Sequence, residues 1–229
     1  MSPFRPDSEV ARFNDSDGLG VSISDETRDV VTAALELARA SDGAFDPTSA
    51  PMGRRFGFGS TRIGAARPAG HFADLRLVGN ELQSARPGLT LDLCAIAKGY
   101  AIDEIVAALD GLDFLIEMGG EIAARGRHPG GRRWRMGIER PGSRALQRSF
   151  QADGRALATS GNAVHGYTIG EQHYGHVVDP HTGRPVSNGA ASVSVLAQTG
   201  QLADGLATAA MVLGPTEARE LLASYDASA

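Results

Sequence analysis

The sequence predicts an α+β protein with mainly antiparallel sheets and helices packed on them. Three observations carry that expectation. Segments that alternate apolar and polar positions flank Gly79-Asn80, and a buried strand and its antiparallel continuation flank the tight turn Gly119-Gly120, so two hairpins are expected. The segments with helical spacing do not alternate regularly with strands, so a parallel βαβ sheet is not indicated. The 29 glycines in 229 residues are a mild excess that points to many turns and close backbone approaches.

Residues 2–20 read as an irregular or short helical opening. Ser24, Asp25 and Glu26 are the cap and acidic first turn of a helix. Val30, Val31, Ala34, Leu35 and Ala38 give its apolar stripe, and Ser41-Asp42-Gly43 ends it. An ordered turn, Ala44-Phe45-Asp46-Pro47-Thr48, leads to a Gly/Arg/Phe segment where Phe56 and Phe58 fill core or line a planar ligand. Segments 73–78 and 82–93 form the first hairpin, and a helix follows over 96–109. Residues 114–118 are a buried strand, with 121–126 its antiparallel continuation. Further strands are expected at 134–139, 156–160 and 191–196. A helix over 202–213 stops at Gly214-Pro215, and Pro215 starts the last one.

The length suits one large domain or two small ones, and no repeat, linker or low-complexity tract divides it. A net charge of −5 with scattered basic residues argues against a nucleic-acid partner. No apolar run could span a bilayer and no signal peptide is present, so the chain as written is expected in the cytoplasm. The single cysteine, Cys94, excludes an intrachain disulfide and reads as a small core residue.

Chemistry concentrates in four stretches. The segment from Tyr174 to Thr208 places His176 where a short valine strand meets a loop, and sets Asp204 and Thr208 four residues apart on one helical face. A carboxylate and a hydroxyl at that spacing suit a hard cation such as Mg²⁺, whose shell phosphates or carbonyls complete. The competing reading is a helix cap at Asp204 and a back-bonded hydroxyl at Thr208. In L-D-L-C-A-I-A-K-G-Y-A-I-D, a strand ends at Asp92 and a helix begins with Lys98 in its first turn. Free N–H groups there, with the lysine, suit a diphosphate, although a solvent-facing lysine is as common. In E-M-G-G-E, Glu117 and Glu121 flank a glycine turn, which favours a plain β-turn with solvated acids. A-T-S-G-N closes a strand with hydroxyls that either meet phosphate or cap the turn.

Taken together, F-D-P-T, L-D-L-C-A-I-A-K-G-Y-A-I-D, M-G-G-E, A-T-S-G-N, H-V-V-D-P-H-T-G-R-P-V and L-A-D-G-L-A-T resemble, in order, the ApbE family of FAD:protein FMN transferases. The opening P-F-R-P-D-S-E-V-A-R-F-N is similar to that family's segment before its first helix, so the resemblance covers nearly the whole chain. It implies a two-lobed single ApbE-like domain over residues 1–229 and a Mg²⁺-dependent cleavage of FAD. FMN would pass to a Thr or Ser of an acceptor protein and AMP would be released. It further implies that Asp204, Thr208 and the Ala95 carbonyl bind the metal. Phe4, Ala44, Phe45, Asp46, Asp92, Lys98 and Val178 would contact FAD, and His176 would deprotonate the acceptor hydroxyl.

The sequence also departs from the family. Relatives carry a further strand ahead of this start and extend past the last helix, so the domain reads as truncated at both ends, with stability and FAD affinity the properties exposed. Phe56 stands where a tryptophan is common, and Asn162-Ala163-Val164 replaces a more polar run expected to face the target protein. Family members are often exported or membrane-anchored. Two alternatives use the same residues: an FAD pyrophosphatase yielding free FMN and AMP, and a flavin-binding protein without turnover.

Overall fold

The computed structural model describes residues 1–143, 145–162 and 165–229. In chain order the elements are α1 (Glu9–Asp15), β1 (Val21–Ser22), α2 (Asp25–Ala40), α3 (Ala50–Arg55), β2 (Leu75–Val78), β3 (Glu81–Ser84), α4 (Ala97–Ala108), β4 (Phe114–Met118), β5 (Glu121–Arg125) and β6 (Arg135–Glu139). They continue with β7 (Leu146–Gln151), β8 (Ala156–Gly161), β9 (Gly166–Ile169), β10 (Gln172–Gly175), β11 (Val178–Asp179), β12 (Arg184–Pro185), β13 (Ser192–Ala197), α5 (Gly200–Leu213) and α6 (Pro215–Ser224). Among the described residues every strand pairing is antiparallel, in line with the expected mainly antiparallel sheets. The chain divides into two compact units, residues 1–95 with 166–187, and residues 96–165 with 188–229.

In the first unit, Ser24 caps α2 by accepting the Thr27 N–H, and the expected stripe of Val30, Val31, Ala34, Leu35 and Ala38 is buried. The hairpin is shorter than its sequence pattern. Strands β2 and β3 pair from Leu75↔Ser84 to Val78↔Glu81, and β1 adds a third strand in the order β1-β3-β2. Past Ser84 the ladder stops near Pro87-Gly88, where a proline cannot donate. The extended stretch that follows is held by a buried side chain. Asn14 donates to the Leu91 carbonyl and accepts the Leu91 N–H at 2.7 Å, replacing a strand partner across 77 residues of sequence.

In the second unit, a four-stranded sheet runs in the order β13-β8-β5-β4. Strand β4 was expected to be buried, but it is the sheet's edge, and its side chains alternate between half-buried and exposed. Helix α5 packs on β8, β13 and α4, which its small residues permit. Its first N–H groups are fully engaged. Thr199 Oγ1 accepts from Leu202, and the two carboxylate oxygens of Asp103, on α4, accept from Gly200 and Gln201 at 2.7 and 2.8 Å.

Helices α4 and α5 touch backbone to backbone at Gly99 and Gly200. A Cβ on Gly99 would lie 2.1 Å from the Gly200 carbonyl oxygen and 2.4 Å from its carbon. Gly99→Ala is therefore expected to cost about 3 kcal/mol, because overpacking against backbone outweighs a helix-propensity gain of about 1 kcal/mol. Thermal unfolding followed by circular dichroism should show a fall of about 6–12 °C. An unchanged midpoint would contradict the contact.

Candidate active site

The second unit gathers five side chains from four separate stretches of sequence. Asp204 lies in the second turn of α5, 3% exposed. It is not the helix cap, a role Thr199 fills. Its Oδ2 accepts the Gly99 N–H at 3.1 Å. The Lys98 ammonium sits 3.2 Å from Asp204 Oδ1 and 3.2 Å from Glu121 Oε1, so one cation bridges two carboxylates. Thr208, one turn along α5, shares a 2.9 Å hydrogen bond with the hydroxyl of Ser160 on β8.

The electrostatics follow from burial. Desolvation, then the neighbouring Asp204, pushes the Glu121 carboxyl up to about 7 from 4.5. Burial likewise raises Asp204, against the pull of Lys98. For Lys98, burial works downward, but Asp204 and Glu121 outweigh it and the ammonium is held above its ordinary value. The folded state thus binds the Glu121 proton more tightly than the unfolded chain does. Stability tied to that group falls as pH climbs from 4.5 to about 7, and a bound cation would offset the loss.

These donors fit a hard divalent ion. Asp204 and Thr208 present oxygen ligands, and Glu121 Oε2 is buried with no hydrogen-bond partner among the described residues. No three His, Cys, Asp or Glu side chains gather as a self-sufficient metal cage among the described residues. Mg²⁺ commonly takes one or two carboxylates from the protein and fills its shell with phosphate oxygens and water.

The other site residues singled out in the sequence belong to the first unit. Ala44, Phe45 and Asp46 are buried. Asp46 spends Oδ1 on the N–H and hydroxyl of Thr48, and Oδ2 on the Phe72 N–H, so its carboxylate organises this turn. Asp92 is half-buried, accepts the Cys94 N–H at 2.8 Å and donates its own N–H to Pro47, which joins the two segments. Ala95 lies in the turn that leads into α4. Phe4 is 57% exposed, and half-buried Val178 pairs with Pro185. His176 is exposed between β10 and β11, edge-on to Phe58 at 6.4 Å between ring centroids.

Several expectations change. Glu121 is not a solvated turn acid. Glu117 alone plays that part, accepting the Gly120 N–H, while Glu121 turns inward to Lys98. Cys94 is exposed rather than in the core, because the turn before α4 buries Leu93 and Ile96 on either side of it. Phe56 and Phe58 are half-buried and stack on Tyr174 and Tyr167, at 6.2 and 5.5 Å, from the unanticipated β9–β10 hairpin. Ser160 was legible only as a turn hydroxyl, and its link to Thr208 spans 48 residues. Of the run 162–164, Ala163 and Val164 lie outside the described residues.

Known proteins resemble this chain in sequence and in fold. The sequence matches the ApbE family over residues 1–229. It is 35% identical to an FAD:protein FMN transferase of Vibrio cholerae over 93% of this chain and 69% of that protein. It is 34% identical to one of Salmonella typhimurium, over 97% and 69%. Among solved structures, the flavin transferase ApbE from Vibrio cholerae superposes with a TM-score of 0.87 at 33% identity, covering 99% of this chain and 77% of that one. The apo flavinyl transferase ApbE of Pseudomonas stutzeri gives 0.86 at 36%, covering 100% and 76%. With sequence and fold both matched along its length, the chain belongs to the ApbE family.

Proposed function

We propose that this protein is an FAD:protein FMN transferase that uses Mg²⁺ and a Thr or Ser hydroxyl of an acceptor protein. The activity is the one its relatives are named for. The observation that carries the chemistry is the buried carboxylate and the oriented hydroxyl one turn apart on α5, with Lys98 against the carboxylate. Asp204 and Thr208 hold the cation. When bound, it supplies charge neutralisation on the diphosphate and on departing AMP. Ser160 fixes the rotamer of the Thr208 hydroxyl. Lys98 is close enough to Asp204 to add positive charge for phosphate oxygens. Phe4, Ala44, Phe45, Asp46, Asp92 and Val178 contribute to binding FAD.

In the reaction the acceptor oxygen attacks the phosphorus of the FMN half. A new O–P bond forms, the diphosphate P–O bond breaks and AMP leaves with that oxygen. His176 takes the hydroxyl proton, because a threonine or serine alcohol is a poor nucleophile at neutral pH.

Incubation with FAD, Mg²⁺ and a Thr- or Ser-bearing acceptor protein, followed by mass spectrometry, should show one FMN added per acceptor and AMP in equal amount. Omitting Mg²⁺ should remove both products. Free FMN and AMP with an unmodified acceptor would make the protein a pyrophosphatase. Bound, uncleaved FAD would make it a carrier.

A further inference from the structure

We propose that Glu121 is a positioning residue for the cation site, taking the Lys98 ammonium so that Asp204 can give an oxygen to the metal. The inference rests on the reading of Asp204 as a ligand, and the observations behind it are separate. Both oxygens of Asp204 are already in use, Oδ2 by the Gly99 N–H and both by the Lys98 ammonium at 3.2 and 3.3 Å. A divalent ion arriving on that carboxylate meets an ammonium at the same oxygens, and the two cations repel. The ammonium needs a second anion within reach.

Glu121 is that anion. Its Oε1 lies 3.2 Å from Lys98 Nζ, the same distance as Asp204 Oδ1, and its side chain is 3% exposed. Its Oε2 is buried without a hydrogen-bond partner among the described residues. A buried carboxylate oxygen left unpaired is costly, and an ammonium has three N–H groups to offer. Shifting Lys98 from Asp204 onto Glu121 therefore exchanges one shared contact for a better satisfied one. The backbone favours a fixed anchor. Glu121 opens β5 opposite Met118, behind a turn of two glycines at φ 64° and 102°. The ammonium ends a flexible four-carbon stem, whereas the glutamate starts from a paired strand, so the lysine is the partner that moves.

A purely structural ion pair would share the distances but not the consequence for metal binding. The test is a double-mutant cycle read by Mn²⁺ affinity, from electron paramagnetic resonance of the FAD-bound protein. With Lys98 present, Glu121→Gln is expected to weaken Mn²⁺ binding about 10–100-fold, as for residues that orient metal ligands. In a Lys98→Met background the same substitution should change it by less than about threefold, because no ammonium remains to compete. Glu121→Ala runs through the same cycle, so a folding failure of one variant leaves the comparison intact. An equal effect of Glu121 substitution in both backgrounds, or none in either, overturns the proposal. Mn²⁺ binding that survives Asp204→Asn, or is absent from the unsubstituted protein, would instead sink the metal-ligand reading beneath it.

Discussion

Asp204→Asn is expected to lower AMP release from FAD by about 10³-fold or more while leaving the protein folded. The rate loss follows from the loss of a carboxylate ligand. A cation that neutralises charge at a transferring phosphoryl group is worth several kcal/mol, and each 1.36 kcal/mol is about tenfold in rate. The retained stability follows from burial. Asp204 is 3% exposed and burial raises its pKa, so a neutral amide removes a desolvation cost. The amide oxygen can still accept the Gly99 N–H, and Lys98 keeps Glu121. Chromatographic measurement of AMP across a Mg²⁺ titration, beside a thermal melt, checks both halves. Near-normal turnover at saturating Mg²⁺ would remove Asp204 from the metal site. A collapsed melt would make it a structural residue.

What the sequence could show of this site was decided by distance along the chain. Asp204 and Thr208 were legible together because, after Gln201 in its first turn, they are the two polar side chains in a helix otherwise of small and apolar residues. Lys98 was legible as a residue at a helix start, but not as the partner of Asp204 across 106 positions. Glu121 was misread for the same reason. An acid after Gly-Gly is solvated unless something distant covers it, and the cover comes from the side chain of Lys98 and the α5 face carrying Asp204. Asn14 gave no signal at all, since its two hydrogen bonds to Leu91 replace strand pairing that has no sequence pattern.

The fold divides along the same line. Helix α2 and the β4–β5 hairpin were fixed by local caps, spacing and turn residues, and the structure holds them within a residue or two. The β9–β10 hairpin escaped because every residue of β9, including Ile169, is exposed, so no apolar alternation marks it. Strand β4 has apolar residues enough to be buried, yet among the described residues no strand pairs with its outer side, and sheet order is not written locally. Cys94 follows the rule as well, for a turn can expose one residue while Leu93 before it and Ile96 after it are buried.

His176→Ala is expected to lower FMN transfer to the acceptor by about 10²–10⁴-fold, the usual worth of a positioned general base, with FAD affinity changed little. The residue is exposed at the junction of β10 and β11, with the Phe58 ring edge-on beside it. A thermal melt of the variant, measured beside its rate, separates lost chemistry from lost folding. The residue's role in proton transfer also sets which half of the reaction suffers. His176 takes the proton of the acceptor hydroxyl, so transfer should fall, and AMP release without acceptor, measured beside it, shows whether the same base serves water. Fluorescence titration of FAD, acceptor mass spectrometry and AMP release, measured on the same variant, separate the outcomes. Lost FAD binding in parallel with lost transfer would make His176 part of the flavin pocket, and unchanged transfer would return the search for the base to other residues.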